Sequence, residues 1–540
     1  MVRYRSTATS AHGMVASSHP LSTLAGAKIL LKGGNAFDAA IATNSVLNVT
    51  QPHVCGIGGD AFFLLYDSKD GAIRFLNASG RSSRNASISY FQDRKLSSIP
   101  SRGVLSALEV PGCVDGWFEV YKRYGSIPIQ TLLEDAIRLA KEGFPVSHQL
   151  SASISAASNI FSQNKEWSKI YKPQGSPPRP GELLVQSDLA WSLEKIASQG
   201  ERAFYEGEIA DRISSAMERH GGLIDSDDLA AHTSIWAEPV ALKYRGFRIY
   251  ETAPNSQGLT ALIAFKLLEK LDLREMKLQS TEYTQMMIEI SKIAYSYRNR
   301  YITDPEYMSI KPSEILELDS IEGDFERLGT KLSAENASID QFGLPEKEDG
   351  DTTYYCIADQ DGNCVSCIQS LYFGFGSGFV PEGTGIVMHN RGSYFSLDRK
   401  HHNALMPRKR TFHTLCASLT TTEEGEPYLL FGSMGGDIQP QIHQQVISSV
   451  LDFGTDIQQA IEDPRWARPG TIYENLDAIH FESRYPEVVV SQLKSRGYSI
   501  KYEAELSALM GHAQGIVIDP ATKILSGGAD PRGDGLALGI

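Results

Sequence analysis

This 540-residue sequence is poor in the features that mark metal, membrane or nucleic-acid proteins. It has only six cysteines: Cys55, Cys113, Cys356, Cys364, Cys367 and Cys416. A single C-x-x-C, Cys364 to Cys367, has neither a second C-x-x-C nor a neighbouring histidine pair to complete a tetrahedral site. The alternating apolar residues around it read as strand positions, so no metal and no cofactor are expected. No apolar run reaches the ~18 residues of a membrane span, and no apolar stretch precedes the polar Ser/Thr segment near the start. These absences set two expectations, no membrane and a cytoplasmic location. No block of Lys and Arg stands against the net charge of -14, which argues against nucleic acid as a partner. Internal repeats and low-complexity tracts are missing too. There is no G-x-S-x-G elbow, and Gly376-Ser377-Gly378 has the wrong spacing for one.

What is present is the composition of a globular protein, 41% hydrophobic and 21% charged. The length allows three domains or one large layered fold. Helices are predicted over Leu21–Leu31, closed by Gly33-Gly34, and from Asn35 to Leu47. Apolar Ala61–Tyr66 reads as a buried strand, forming a hairpin with Ile73–Leu76 through Asp70-Gly71. The middle of the chain is mainly helical, as at Leu132–Ala140 and Thr281–Arg298. From Leu332 to Gly350 the chain turns polar, as a linker does. Thr352–Ala358 and Cys364–Tyr372 then alternate as a strand hairpin around Gln360-Asp361-Gly362-Asn363.

Cleaving an unactivated amide requires a nucleophile, a base and oxyanion donors. A threonine at a newly made N-terminus supplies the first two from one residue, because its α-amine, with a pKa near ~7.7–8.0, accepts the hydroxyl proton. An acidic linker running into Thr352-Thr353 fits such a self-cleaving precursor. The same pattern also fits a loop entering a strand.

The run Thr352–Ser366 resembles the segment of the γ-glutamyltranspeptidase family that starts at its processed threonine. Phe373–Gly378, Thr384-Gly385-Ile386 and Gly432-Ser433-Met434-Gly435-Gly436 are similar to further motifs of that family. So are Gly33–Ala40, Gly56–Gly59, Val110-Pro111-Gly112, Asp228-Leu229, Pro254–Gly258 and Gly528–Gly535, all in the family's order. The resemblance implies an α+β N-terminal-nucleophile hydrolase, a four-layer αββα sandwich with one core made by two autoproteolytic fragments, 1-351 and 352-540. It implies cleavage between Asp351 and Thr352, with Thr352 then acting as nucleophile. Ser370 stands where the family has a threonine bonded to that hydroxyl. Gly435 and Gly436 would hold the oxyanion, and Thr353 would help orient its neighbour or be a plain strand residue.

The match departs at the groups that hold a glutamyl zwitterion. The family's arginine has no aligned counterpart, although Arg81 lies about two residues later. Tyr394 falls where the family has an amine-binding aspartate, and His413-Thr414 replaces a serine pair. These changes resemble a branch that includes an oxamate amidohydrolase. The link from Phe395 to Lys409 looks too short for the family's lid loop, which favours hydrolysis over transfer. Arg81 and then Arg391 are the candidate carboxylate partners, with a structural salt bridge as the plain reading of each. His413 is a substrate donor or a satisfied core histidine.

The expected activity is therefore hydrolysis or acyl transfer on small carboxylate-bearing amides. γ-Glutamyl compounds such as glutathione are the family's default, while oxamate-type amides and acylated β-lactam side chains are alternatives. A reading of a different class is an unprocessed, silent binding protein. The two fragments are expected to remain associated, and pairing of two such heterodimers is left open.

Overall fold

The helices near the start form for visible local reasons. Pro20–Leu31 ends with Gly33 at φ 87°, its N–H on the Leu30 carbonyl and that of Gly34 on the Ile29 carbonyl, which satisfies two terminal carbonyls. Asn35 then starts Ala36–Thr50: its side chain accepts from the Asp38 N–H while the Asp38 carboxylate accepts from the Asn35 N–H. Every residue of Ala36–Thr50 is buried, so this helix lies inside the molecule.

The computed structural model describes residues 4–330, 350–468, 470 and 478–540. Of the polar linker expected at 332–350, residues 332–349 lie outside these. Two antiparallel seven-stranded sheets form the centre. One runs Leu536–Gly539, Met14–Ser17, Gly350–Ala358, Cys364–Phe373, Asp60–Asp67, Ala72–Ala78, Ile235–Ala237. The other runs Ala8–Ser10, Leu525–Ala529, Ala513–Ile518, Pro427–Ser433, Ala417–Thr422, Phe247–Glu251, Val240–Tyr244.

Alternation along Gly350–Ala358 shows the layering. Tyr355 and Ile357 enter a core shared with Ala36–Thr50 and Ile129–Glu142, whereas Tyr354 and Cys356 enter the core that reaches the second sheet. Helices Gly258–Leu268, Thr281–Tyr301 and Gln439–Phe453 contribute to that second core. The architecture is the expected αββα sandwich. Strands from before and after residue 351 interleave in the first sheet, so one core belongs to both parts of the chain. Each fully buried aliphatic or phenylalanine there, such as Ile357, Ile368, Phe62 and Phe63, contributes roughly 1.5–3 kcal/mol.

Cys364 and Cys367 are strand residues, as expected. Their odd spacing sends them to opposite faces of the sheet, Cys364 into one core and Cys367 into the other, so they cannot meet at one ion.

Candidate active site

The peptide from Asp351 to Thr352 lies within a strand. Asp351 pairs with Tyr372 and Thr353 with Gln369, so the single residue Thr352 stands against two, Ser370 and Leu371. This is a bulge in Cys364–Phe373. The extra residue is satisfied elsewhere: Leu371 N–H donates to the Val54 carbonyl, and its own carbonyl accepts from Asn390 N–H. Tyr372 completes the bend at φ 83°, which is unfavourable for a residue with a Cβ, and its N–H donates to Ser370 Oγ at 2.6 Å. Thr352 is 2% exposed. The bulge thus places Ser370 and Leu371 opposite Thr352 in the ladder.

Thr353 points the other way. Its hydroxyl bonds to those of Ser18 and, at 3.3 Å, to Gln51 Oε1 in the helical layer. It is a structural tie on the opposite face of the sheet from Thr352, which corrects the role of orienting the nucleophile.

After the strand Pro427–Ser433 the chain turns through Gly435 and Gly436. Gly435 has φ 138°, which a side chain rarely adopts, and a Cβ there would lie 3.0 Å from Ile438 Cγ1. The Met434 carbonyl accepts from Ser433 Oγ at 2.7 Å, and the Gly435 carbonyl accepts from Ile438 N–H at 3.1 Å. Because a peptide is planar, the N–H groups of Gly435 and Gly436 point away from these carbonyls. Among the described residues neither N–H has an acceptor. Two donors without an acceptor on one rigid turn are the arrangement that an anion requires.

Arg391 is 1% exposed and lies over the Tyr372 ring, 4.2 Å from its centroid. One terminal nitrogen donates to Thr414 Oγ1 at 2.9 Å, and the other has no partner among the described residues. A buried guanidinium with an unused donor is unfavourable until an acceptor arrives. Asp60, directly opposite Ser370 in the ladder, balances its charge. Burial alone would raise the Asp60 carboxyl, but His389, His413 and Arg391 hold it below the usual carboxylate range. Glu109 goes the opposite way, pushed well up by burial and by Asp60.

The remaining sequence candidates are occupied within the protein. Arg81 pairs with Glu306 and Asp304, donates to the Arg408 carbonyl, and lines a small cavity with Asp228, His232 and Arg408. This corrects its role as first candidate for a substrate carboxylate: two protein carboxylates already neutralise it. His413 lies 3.2 Å from Asp60 Oδ2, and its Nδ1 accepts from Leu415 N–H. Burial and Arg391 lower its pKa to about 3, so it is a neutral, satisfied core histidine and not a substrate donor. Thr414 carries Arg391. Tyr394 donates its hydroxyl to Asp437 Oδ2 and packs its ring 4.9 Å from that of Tyr372.

Sequence reasoning missed Asp60, Gln257, Arg298 and Asp437. Each is a polar residue beside a glycine motif or on a helix, a pattern that surface positions share. Gln257 and Asp437 did lie within runs that matched the family. The short link after Phe395 folds down, with Leu397, Ala404 and Leu405 packed on Ile88, Phe91 and Leu108 and Lys409 Nζ bonded to the carbonyls of His402 and Ala404. One trio among the described residues could meet at an ion, Glu251, Cys416 and His443. There the glutamate is bonded to His443 Nδ1 at 2.7 Å, and burial pushes the Cys416 thiol well up.

Two stacked antiparallel sheets between helical layers, with a buried threonine on a central strand near a turn whose two N–H groups have no acceptor among the described residues, fit the class of N-terminal-nucleophile hydrolases. The chain belongs to the γ-glutamyltranspeptidase family, whose model matches residues 22–540. It is 40% identical over 530 residues to the glutathione hydrolase-like YwrD proenzyme of Bacillus subtilis, covering 98% of both chains. It is 32% identical over 535 residues to the oxamate amidohydrolase proenzyme of Klebsiella pneumoniae, covering 98% of this chain and 99% of the relative. The crystal structure of a cephalosporin acylase from Bacillus halodurans superposes with a TM-score of 0.92 at 36% identity, over 100% of this chain and 98% of that one.

Proposed function

We propose that this enzyme cuts itself before Thr352 and then hydrolyses amides of short dicarboxylic acids whose free carboxylate binds Arg391. In the first step Thr352 Oγ attacks the Asp351 carbonyl carbon, the peptide C–N bond breaks, and an ester forms. Water then cleaves the ester, leaving the Asp351 carboxylate and a free Thr352 amine. In turnover the same oxygen attacks the substrate amide while the α-amine takes its proton and passes it to the departing amine. The N–H groups of Gly435 and Gly436 receive the oxyanion, where each well-placed donor is worth about 10²–10³ in rate. Water hydrolyses the acyl-threonine ester and completes the cycle. The shortness of the link from Phe395 to Lys409, whose Leu397, Ala404 and Leu405 are packed into a core cluster, supports water as the acceptor.

The single observation that carries the substrate reading is the buried Arg391 nitrogen that has no partner among the described residues. Two of the nearby carboxylates are already committed: Asp60 takes the N–H groups of Gly80 and Gly112 and faces His413, while Asp437 takes Arg298 and Tyr394; the third, Glu109, is pushed well above the usual carboxylate range by burial and by Asp60. This supports an acyl group with a carboxylate and no ammonium. γ-Glutamyl donors are the second reading, favoured by the 40% identity to a relative named glutathione hydrolase-like. Six unpaired, buried cysteines support the cytoplasm as the proposed compartment.

The test is amine release from oxamate, glutaryl anilide, γ-glutamyl anilide and glutathione by wild type and Thr352→Ala. Preference for the two amino-free substrates is expected. Faster turnover of the γ-glutamyl pair would overturn the reading of Tyr394 and Asp437, and an uncut, inactive wild-type chain would point to a silent binding protein.

A further inference from the structure

Two parts of the site with different tasks hang on one buried amide. Gln257 Nε2 donates to the carbonyl of Gly436 at 2.9 Å and to that of Thr414 at 2.6 Å. The first carbonyl belongs to the anion-binding turn, the second to the residue that holds Arg391. Gln257 Oε1 accepts from an Arg298 terminal nitrogen at 2.9 Å, and the same nitrogen donates to Asp437 Oδ1 at 2.8 Å. Gln257 and Arg298 are both 0% exposed. Since arginine only donates, the amide can be oriented in one way: oxygen toward Arg298, nitrogen toward the two carbonyls.

This arrangement is not explained by stability. A buried guanidinium loses hydration, and its second terminal nitrogen has no partner among the described residues. What it supplies is geometry. Fixing the Gly436 carbonyl fixes the next peptide plane, and the planes before it are held by Ser433 and Ile438, so the whole turn is set. Fixing the Thr414 carbonyl sets the residue whose hydroxyl orients Arg391. Gln257 and Arg298 precede Thr352 in the chain, while the Thr414 and Gly436 carbonyls and Asp437 follow it.

We infer that Gln257, locked by Arg298, is a positioning residue that registers the oxyanion donors against the carboxylate anchor, so that both ends of the acyl group are presented to Thr352 together. The inference rests on the roles proposed above for Arg391 and for Gly435 and Gly436.

The test compares wild type, Gln257→Leu and Arg298→Lys on glutaryl p-nitroanilide and on the uncharged butyryl p-nitroanilide. Autocleavage and melting temperature are followed in parallel. For Gln257→Leu, kcat should fall about 10-fold or more on both substrates as the turn loosens. KM should rise about 10-fold on the glutaryl substrate alone, since only that one uses Arg391. Arg298→Lys, which keeps the charge beside Asp437 but loosens the grip on Gln257, should show the same split at smaller size. It also serves as the measurement if the leucine variant fails to fold. Unchanged kcat and KM in either cut, folded variant would overturn the inference. So would an equal loss on both substrates that tracks the melting temperature. Failure of the wild type to distinguish the two anilides would instead sink the carboxylate reading, while leaving the variant-to-wild-type ratio of kcat to judge the positioning role.

Discussion

The hydroxyls of Thr353 and Ser18 are hydrogen-bonded to each other, joining the residue after the proposed cut to a segment far upstream of it. Strand Gly350–Ala358 also pairs with Met14–Ser17 on one side and with Cys364–Phe373 on the other, which in turn pairs with Asp60–Asp67. Cutting one peptide removes none of this pairing beyond the cut bond itself. Purified wild type should therefore run as pieces of 351 and 189 residues (540 minus 351) on a denaturing gel, yet elute as one species near 59.3 kDa or a multiple of it. Thr352→Ala should stay a single chain. Separation of the pieces without denaturant would contradict the shared core.

Arg391 is the expected carboxylate anchor. Arg391→Lys keeps the charge but not the bidentate fork or the stacking on Tyr372, so kcat/KM on glutaryl anilide should fall about 10–100-fold. The same variant should leave butyryl anilide nearly unaffected. An equal loss on both substrates would show that Arg391 serves only the packing of Tyr372.

Gly435→Ala places a Cβ on a backbone at φ 138° and close to Ile438 and Ile442. The turn must change to accommodate it, removing at least one oxyanion donor. A fall of about 10²–10³ in kcat with little change in the binding of a competitive dicarboxylate is expected. Steady-state kinetics with malonate as inhibitor measures both.

His53 is buried, and burial followed by the nearby His512 and His19 lowers its pKa to about 3. In the unfolded chain it titrates near ~6.5, so between these values the unfolded state holds the extra proton and stability is lost as pH falls. The effect is about 1.4 kcal/mol for each pH unit below 6.5. Glu109, raised by burial, works in the opposite direction, so the differential measurement isolates the histidine. Melting temperatures of wild type and His53→Leu from pH 7.5 to 5 should converge or cross on acidification, the variant being the less acid-sensitive. Parallel curves would show that His53 accepts a proton in the folded state.

The local pattern of this chain was largely legible. Gly33-Gly34 and Asn35 punctuate two helices where expected, and the hairpin around Gln360–Asn363 forms because alternation and turn chemistry agree. Thr352, Ser370 and the glycine turn lie within continuous motifs, so short-range sequence order carried them. The sequence alone determined the elements, the family and the residue at the proposed cut. Tertiary structure alone decided which charges remain available. Arg81 and Arg391 look alike in sequence, but Arg81 meets Glu306 and Asp304 whereas Arg391 is buried with one nitrogen that has no partner among the described residues. Likewise, His413 is neutral because burial and the Arg391 charge outweigh the pull of Asp60, and Gln257 reaches two distant carbonyls because Arg298 turns its amide. The physical reason is that hydrogen-bond partners and desolvation arise between segments hundreds of residues apart, and no local pattern encodes which of them will meet.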